Sequence, residues 1–180
     1  MTALILLADD SAQNLLVASR HLESVGHRVV TATSGEQALD LLAHERFDLV
    51  ILDVLMPGIG GFETCRRIRA NPPTSDLPIM FMTALGDRDA TAPALDAGAD
   101  DLLAKPFARS ELLLRTSALI RQHHAARKRR ADAELERALI GESIGRLRAM
   151  STALEGEVAA RFHEELTSLE VTAMRGRDDR

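Results

Sequence analysis

Tryptophan and tyrosine are absent from this 180-residue chain, phenylalanine occurs five times and cysteine once. One thiol cannot build a disulfide framework. In the helical stretch FETCRRIRA, Cys65 reads as a packing residue rather than a redox centre. No apolar run approaches the roughly 20 residues that cross a bilayer. The opening MTALILLADD has no basic segment ahead of its apolar one, so no signal peptide is expected. These absences lead us to expect a cytoplasmic protein with no membrane contact. Proline is also missing after Pro106, which leaves a long stretch without the strongest helix breaker.

What the chain does have is a series of short apolar runs, four of them ending on a chemically active residue. LILLADD ends on Asp9 and Asp10, DLVILD on Asp53, LPIMFMT on Thr83, and DDLLAKP reaches Lys105. Such runs, bounded by charge and turn residues, predict buried strands of a parallel sheet. Strands are expected near 4–8, 28–31, 48–53, 77–82 and 99–103, and helices near 11–25, 35–44, 60–70, 87–97 and from 107. Gly26, Asn71-Pro72-Pro73 and Gly98 punctuate them, and Pro93 should weaken or shorten the fourth helix. Strict alternation implies an α/β fold with a doubly wound, five-stranded parallel sheet. Ligands of such sheets bind beyond the carboxyl ends of the strands.

Three carboxylates gathered at that edge repel one another unless a hard cation joins them, and Mg²⁺ favours such oxygen ligands. An aspartate can also act as a nucleophile and become an aspartyl phosphate. Asp53, alone on a central strand and followed by the turn MPGIGG, is the candidate nucleophile. Asp9 and Asp10 suit the metal, while Thr83 and Lys105 suit the phosphoryl oxygens. Taken singly, Asp10 could be a helix N-cap, and Thr83 or Lys105 could be turn chemistry. All of them in register are not explained that way.

In order and spacing, Asp9-Asp10, LDVLMPGIGG, Thr83-Ala84 and Lys105-Pro106 resemble the receiver domain of two-component response regulators over residues 1–120. The resemblance implies a switch rather than an enzyme, phosphorylated on Asp53 by a sensor histidine kinase with Mg²⁺ as cofactor. It further implies that the backbone carbonyl of Leu55 is a metal ligand and that the Lys105–Pro106 bond is cis. Receivers usually carry a tyrosine or phenylalanine three residues before the lysine, where this chain has Leu102. A switch working through a rotating aromatic is therefore not expected, and movement of the segment after Thr83 takes its place. Leu55 and Leu85 are expected to border the path of hydrolytic water and to prolong the phosphorylated state.

Residues 121–180 form a separate segment. Acidic residues predominate before it, and the balance is nearly even within it. The run RQHHAARKRR reads as a solvated helix face, with His123 and His124 exposed and not metal-binding, and no DNA binding is expected. Apolar positions recur at Ile140, Ile144, Leu147, Leu154 and Val158, with Ser151 in one slot. After a four-residue stutter they resume at Phe162, Leu166, Leu169 and Ala173. One narrow stripe needs a partner, most simply a second copy, parallel in a symmetric homodimer. Gly141, Gly145 and Gly156 mark a hinge, or a break into a shorter helical hairpin. The stretch LEGEVAARFHEELTSLEV resembles linkers that join receivers to HD-GYP or GGDEF enzymes, and RGRDDR resembles the point where such a domain would begin. Two rival readings stand beside the switch. One is a constitutive dimeric scaffold with a vestigial receiver. The other is a phosphotransfer role for His163, with Glu164 as its base.

Overall fold

The structure, a computed structural model, describes the backbone of residues 2–84 and 87–175. It describes the side chains of these apart from residues 87–91, 151, 162–163 and 165–175. The elements run β1 (Leu4–Ala8), α1 (Ala12–Glu23), β2 (Arg28–Ala32), α2 (Gly35–His44), β3 (Leu49–Asp53), α3 (Gly60–Ala70), a 3₁₀ turn (Pro72–Thr74), β4 (Ile79–Thr83), α4 (Asp87–Ala97), β5 (Asp101–Ala104) and α5 (Arg109–Arg175). All neighbouring strands are parallel, in the order β2-β1-β3-β4-β5. The chain thus has the doubly wound α/β sheet expected from its alternation.

Alternation along each strand builds two cores. Leu6, Ala8, Val50, Leu52, Ile79 and Phe81 face one side of the sheet, packed with Cys65, Ile68 and Ala94. Ile5, Leu7, Leu49, Ile51, Met80 and Met82 face the other, against Leu15 and Leu22 of α1 and Leu112 and Leu119 of α5. Burial on both faces is why β3 and β4 read as unbroken apolar runs.

The helix starts and stops follow local chemistry. The Ser11 hydroxyl caps α1 by accepting from the Asn14 N–H, and Ser34 caps α2 by accepting from Gln37. Gly26 at φ 89° and Gly98 at φ 88° turn the chain after α1 and α4. Helix α4 runs through Pro93 to Ala97 and is not shortened by it. The 3₁₀ turn at Pro72–Thr74 is an element that the proline pair concealed in the sequence.

The chain divides into two units, Met1–Arg127 and Lys128–Arg180. In the second, the described residues form helix alone, and neither Gly141, Gly145 nor Gly156 breaks it, so neither the expected hinge nor the helical hairpin is seen. Leu135, Leu139, Ile140, Ile144, Leu147, Met150, Leu154 and Val158 are all exposed there. Leu85 and the RGRDDR motif beyond Arg175 lie outside the described residues. The side chains of Ser151, Phe162, His163, Leu166, Leu169 and Ala173 do so too.

His123 and His124 are half-buried, which corrects the expectation that both are exposed. The His124 Nε2 lies 2.8 Å from Asp48 Oδ1, and the other Asp48 oxygen accepts the Leu4 N–H at 2.8 Å. Burial works against the charge on Asp48, yet these hydrogen bonds hold its carboxyl below the usual carboxylate range. The two partners are 76 residues apart, a pairing that no local pattern reveals.

Candidate functional site

The register carries the polar strand ends to one edge. Asp53 is the last residue of β3 and lies opposite Met82, which places Thr83 one step further along β4. Thr83 pairs with Ala104, and its carbonyl accepts the Lys105 N–H at 2.7 Å, so Lys105 leaves the sheet beside it. Asp9 follows β1 directly, and its N–H bonds to the Ala32 carbonyl at 3.1 Å. The Lys105–Pro106 peptide is cis.

These placements bring the acidic residues together. Carboxylate oxygens of Asp9, Asp10 and Asp53 all lie within 4.8 Å of one another. Asp9 is fully buried, Asp53 nearly so, and Asp10 is exposed. The Lys105 Nζ sits 2.6 Å from Asp9 Oδ2 and 3.0 Å from Asp53 Oδ1. Burial pushes the Asp53 carboxyl above its ordinary value. The Lys105 ammonium opposes that shift, and the Asp9 charge adds to it. Thr83 is fully buried. Leu55, two residues past Asp53, exposes 59 % of its surface, while Leu102 is half-buried against the core that holds Phe81.

The turn after Asp53 is built so that α3 can come close. Gly58 and Gly60 adopt φ of 81° and 63°, a region other residues avoid. The Gly61 N–H then donates to the Val54 carbonyl at 3.0 Å. A Cβ at Gly61 would overlap the Asp53 carbonyl oxygen and stand 2.9 Å from Val54 Cα. Only glycine lets the first turn of α3 rest on the backbone of the candidate nucleophile.

Oxygen donors alone, all carboxylates, suit a hard cation such as Mg²⁺ better than a soft metal. Their closeness and shared negative charge fit that ion. The Lys105 ammonium between Asp9 and Asp53 shows the edge already stabilising positive charge.

Asn14 is a site residue that the sequence reading passed over. Its Nδ2 lies 3.0 Å from Asp9 Oδ1 and 3.1 Å from Oδ2. The available signal was an amide in the first turn of the helix that begins just after Asp9.

Comparison with known proteins bears on the same residues. Residues 5–117 match the family model of the response regulator receiver domain. Over 122 residues the chain is 44 % identical to the transcriptional regulatory protein AfsQ1 of Streptomyces coelicolor, covering 68 % of this chain and 52 % of that one. The response regulator MprA of Mycolicibacterium vanbaalenii gives the same identity and coverage. The chain spans about half the length of these curated relatives. Among solved structures, chemotaxis response regulator CheY4 of Vibrio cholerae is similar at TM-score 0.63 and 31 % identity, over 66 % of this chain and 99 % of that one. The receiver domain of a histidine kinase from Syntrophus aciditrophicus also has TM-score 0.63, at 30 % identity, over 67 % of this chain and 91 % of that one. With a five-stranded parallel sheet that carries acid, hydroxyl and ammonium at one edge, the chain belongs to the response regulator receiver family.

Proposed function

We propose that this protein is a Mg²⁺-dependent phosphoacceptor switch, charged on Asp53 by a sensor histidine kinase. The observation that carries the reading is the Asp53 carboxylate, nearly buried at the end of a central strand, 3.0 Å from an ammonium and grouped with two further carboxylates. An Asp53 oxygen attacks the phosphorus of a phosphoimidazole. The new P–O bond forms as the P–N bond breaks, and the imidazole leaves. Asp9, Asp10, Asp53 and the Leu55 carbonyl would hold the cation, which offsets charge on the phosphoryl oxygens when bound. The Lys105 ammonium and the Thr83 hydroxyl bind those oxygens as they develop charge. Lys105 must shift part of its attention from Asp9 to the phosphoryl group, and that redistribution is the local event that biases the switch.

In this reading residues 1–120 receive the signal and residues 121–180 deliver it. Helix α5 belongs to both, and the exposed apolar residues from Ile140 to Val158 support output through protein contact, with homodimerisation the simplest form. Leu102, already packed on the core, supports a switch that moves backbone rather than an aromatic ring. Exposed Leu55 beside the acceptor supports slow hydrolysis and a phosphorylated state lasting minutes or longer.

The test is incubation with acetyl phosphate and Mg²⁺, read by intact mass and by light-scattering mass during size exclusion. Wild type should gain one phosphoryl group and change its mass or hydrodynamic radius, and Asp53→Ala should do neither. A wild type that gains no phosphoryl group would refute the reading. A constant dimer in both proteins would refute phosphate-gated output.

A further inference from the structure

Asp9 is fully buried, yet its carboxylate is fixed by donors on three sides. Oδ1 accepts from the Ser11 N–H at 2.9 Å and from Asn14 Nδ2 at 3.0 Å. Oδ2 accepts from the same Asn14 nitrogen at 3.1 Å and from Lys105 Nζ at 2.6 Å. Asn14 is the donor that reaches both oxygens, so it sets the plane of the carboxylate rather than the position of one atom. Its own backbone is held in turn, because the Asn14 N–H donates to the Ser11 hydroxyl that caps α1. Strand end, helix cap and amide therefore form one closed unit around Asp9.

The chemistry of the donor matters as much as its place. An amide is uncharged, so it orients Asp9 without cancelling the negative charge a cation needs. A lysine or arginine there would neutralise the acid cluster, and an aspartate would add a fourth negative charge to it. Lys105, by contrast, is charged and has to be free to serve the phosphoryl group. When it turns away from Asp9, the neutral amide and the Ser11 N–H are what keep the carboxylate aimed.

We propose that Asn14 is a positioning residue for the divalent-cation site, holding the Asp9 carboxylate in its ligating orientation through its side-chain amide. This rests on the reading of the carboxylate cluster as a Mg²⁺ site. Partners that hydrogen-bond a metal-ligating group typically contribute roughly 10- to 100-fold to metal affinity.

The experiment is calorimetric titration of the full chain with Mg²⁺, repeated by Mn²⁺ paramagnetic resonance, for wild type, Asn14→Leu, Asn14→Ala and Asn14→Gln. Circular dichroism melting of the metal-free proteins runs alongside. The leucine and alanine variants should bind both ions about 10-fold or more weakly, while melting remains cooperative. Glutamine, which keeps the amide one methylene further out, should recover part of the affinity. Affinities within twofold of wild type in every folded variant would overturn the proposal. So would a loss that glutamine does not reduce, because it would assign Asn14 to packing. If leucine prevents folding, the alanine–glutamine pair decides. A wild type that binds neither ion, tested beside Asp9→Asn, would overturn the metal site itself and this inference with it.

Discussion

Replacing Gly61 by alanine adds one methyl group at the point where α3 touches the backbone at the end of β3. That methyl would overlap the Asp53 carbonyl oxygen and approach Val54 Cα at 2.9 Å. Neither neighbour is a flexible side chain, so relief requires α3 or the end of β3 to move. Overpacking of this kind costs typically 1–3 kcal/mol, and rigid backbone neighbours argue for about 3. Alanine in place of glycine in a helix returns at most about 1 kcal/mol. The net loss is then about 2 kcal/mol. For a unit of this size each kcal/mol moves the melting temperature by roughly 4 °C, so a fall of about 8 °C is expected. Because the displaced atoms belong to Asp53 itself, labelling by acetyl phosphate should slow, by about 100-fold for a displacement of about 1 Å. Gly145→Ala is the matched control. Nothing lies within 4 Å of a Cβ there, so helix propensity alone acts and the second unit gains about 1 kcal/mol. Thermal melts followed by circular dichroism and mass-spectrometric labelling read both variants. A Gly61→Ala protein that melts within a degree of wild type and labels at the same rate would refute the close-contact reasoning.

Further outcomes follow from the titrating groups and the exposed helix. Burial holds the Asp53 carboxyl above its ordinary value, so the folded state binds the proton more tightly and loses stability as pH rises through the raised pKa. Asp53→Asn should therefore be the more stable protein at neutral pH and match wild type at pH values below the usual carboxylate range, as urea titrations at several pH values would show. Asp48 is the opposite case, with a depressed folded value, so its stabilisation is present above the unfolded carboxylate pKa and is lost as pH falls through the folded one. His124→Ala should lower stability near neutrality by about 1 kcal/mol, with the gap to wild type narrowing in acid; an undiminished gap at low pH would count against the Asp48 partnership. Burial pushes the Cys65 thiol up to about 11, so Ellman's reagent at pH 8 should leave it unmodified until guanidinium unfolds the chain. Rapid labelling of the native protein would place Cys65 elsewhere. Leu147→Asp should abolish self-association, read as monomer mass by light scattering, while Asp53 still takes up phosphate.

The α/β fold was legible because both faces of the sheet are covered. Buried strands such as Leu49–Asp53 and Ile79–Thr83 then carry no polar interruption, and their ends stand out as Asp53 and Thr83. Placing Asp9, Asp10, Asp53 and Lys105 at one edge followed from parallel strands ending on the same side. Asn14 was not legible, because an asparagine in a first helical turn has a satisfactory local explanation as capping chemistry. The His124–Asp48 contact was hidden for a different reason. The histidine sits in a basic, solvated-looking run, and only the docking of α5 half-buries it. Gly141, Gly145 and Gly156 misled in the other direction, because their cost in helix propensity is small beside the drive of the surrounding alanine, leucine, glutamate and arginine to form helix.

The contact between Lys105 and Asp9 joins residues 96 positions apart. A ribosome delivers Asp9 first and Lys105 only after all five strands have been made, so a growing chain carries Asp53 long before it carries the ammonium that pairs with it. Until β5 docks beside β4, Asp9 and Asp53 lack the Lys105 ammonium. On the function proposed above, the site around Asp53 is therefore complete only once β5 has docked, and a chain whose edge has not closed is expected to take up phosphate more slowly.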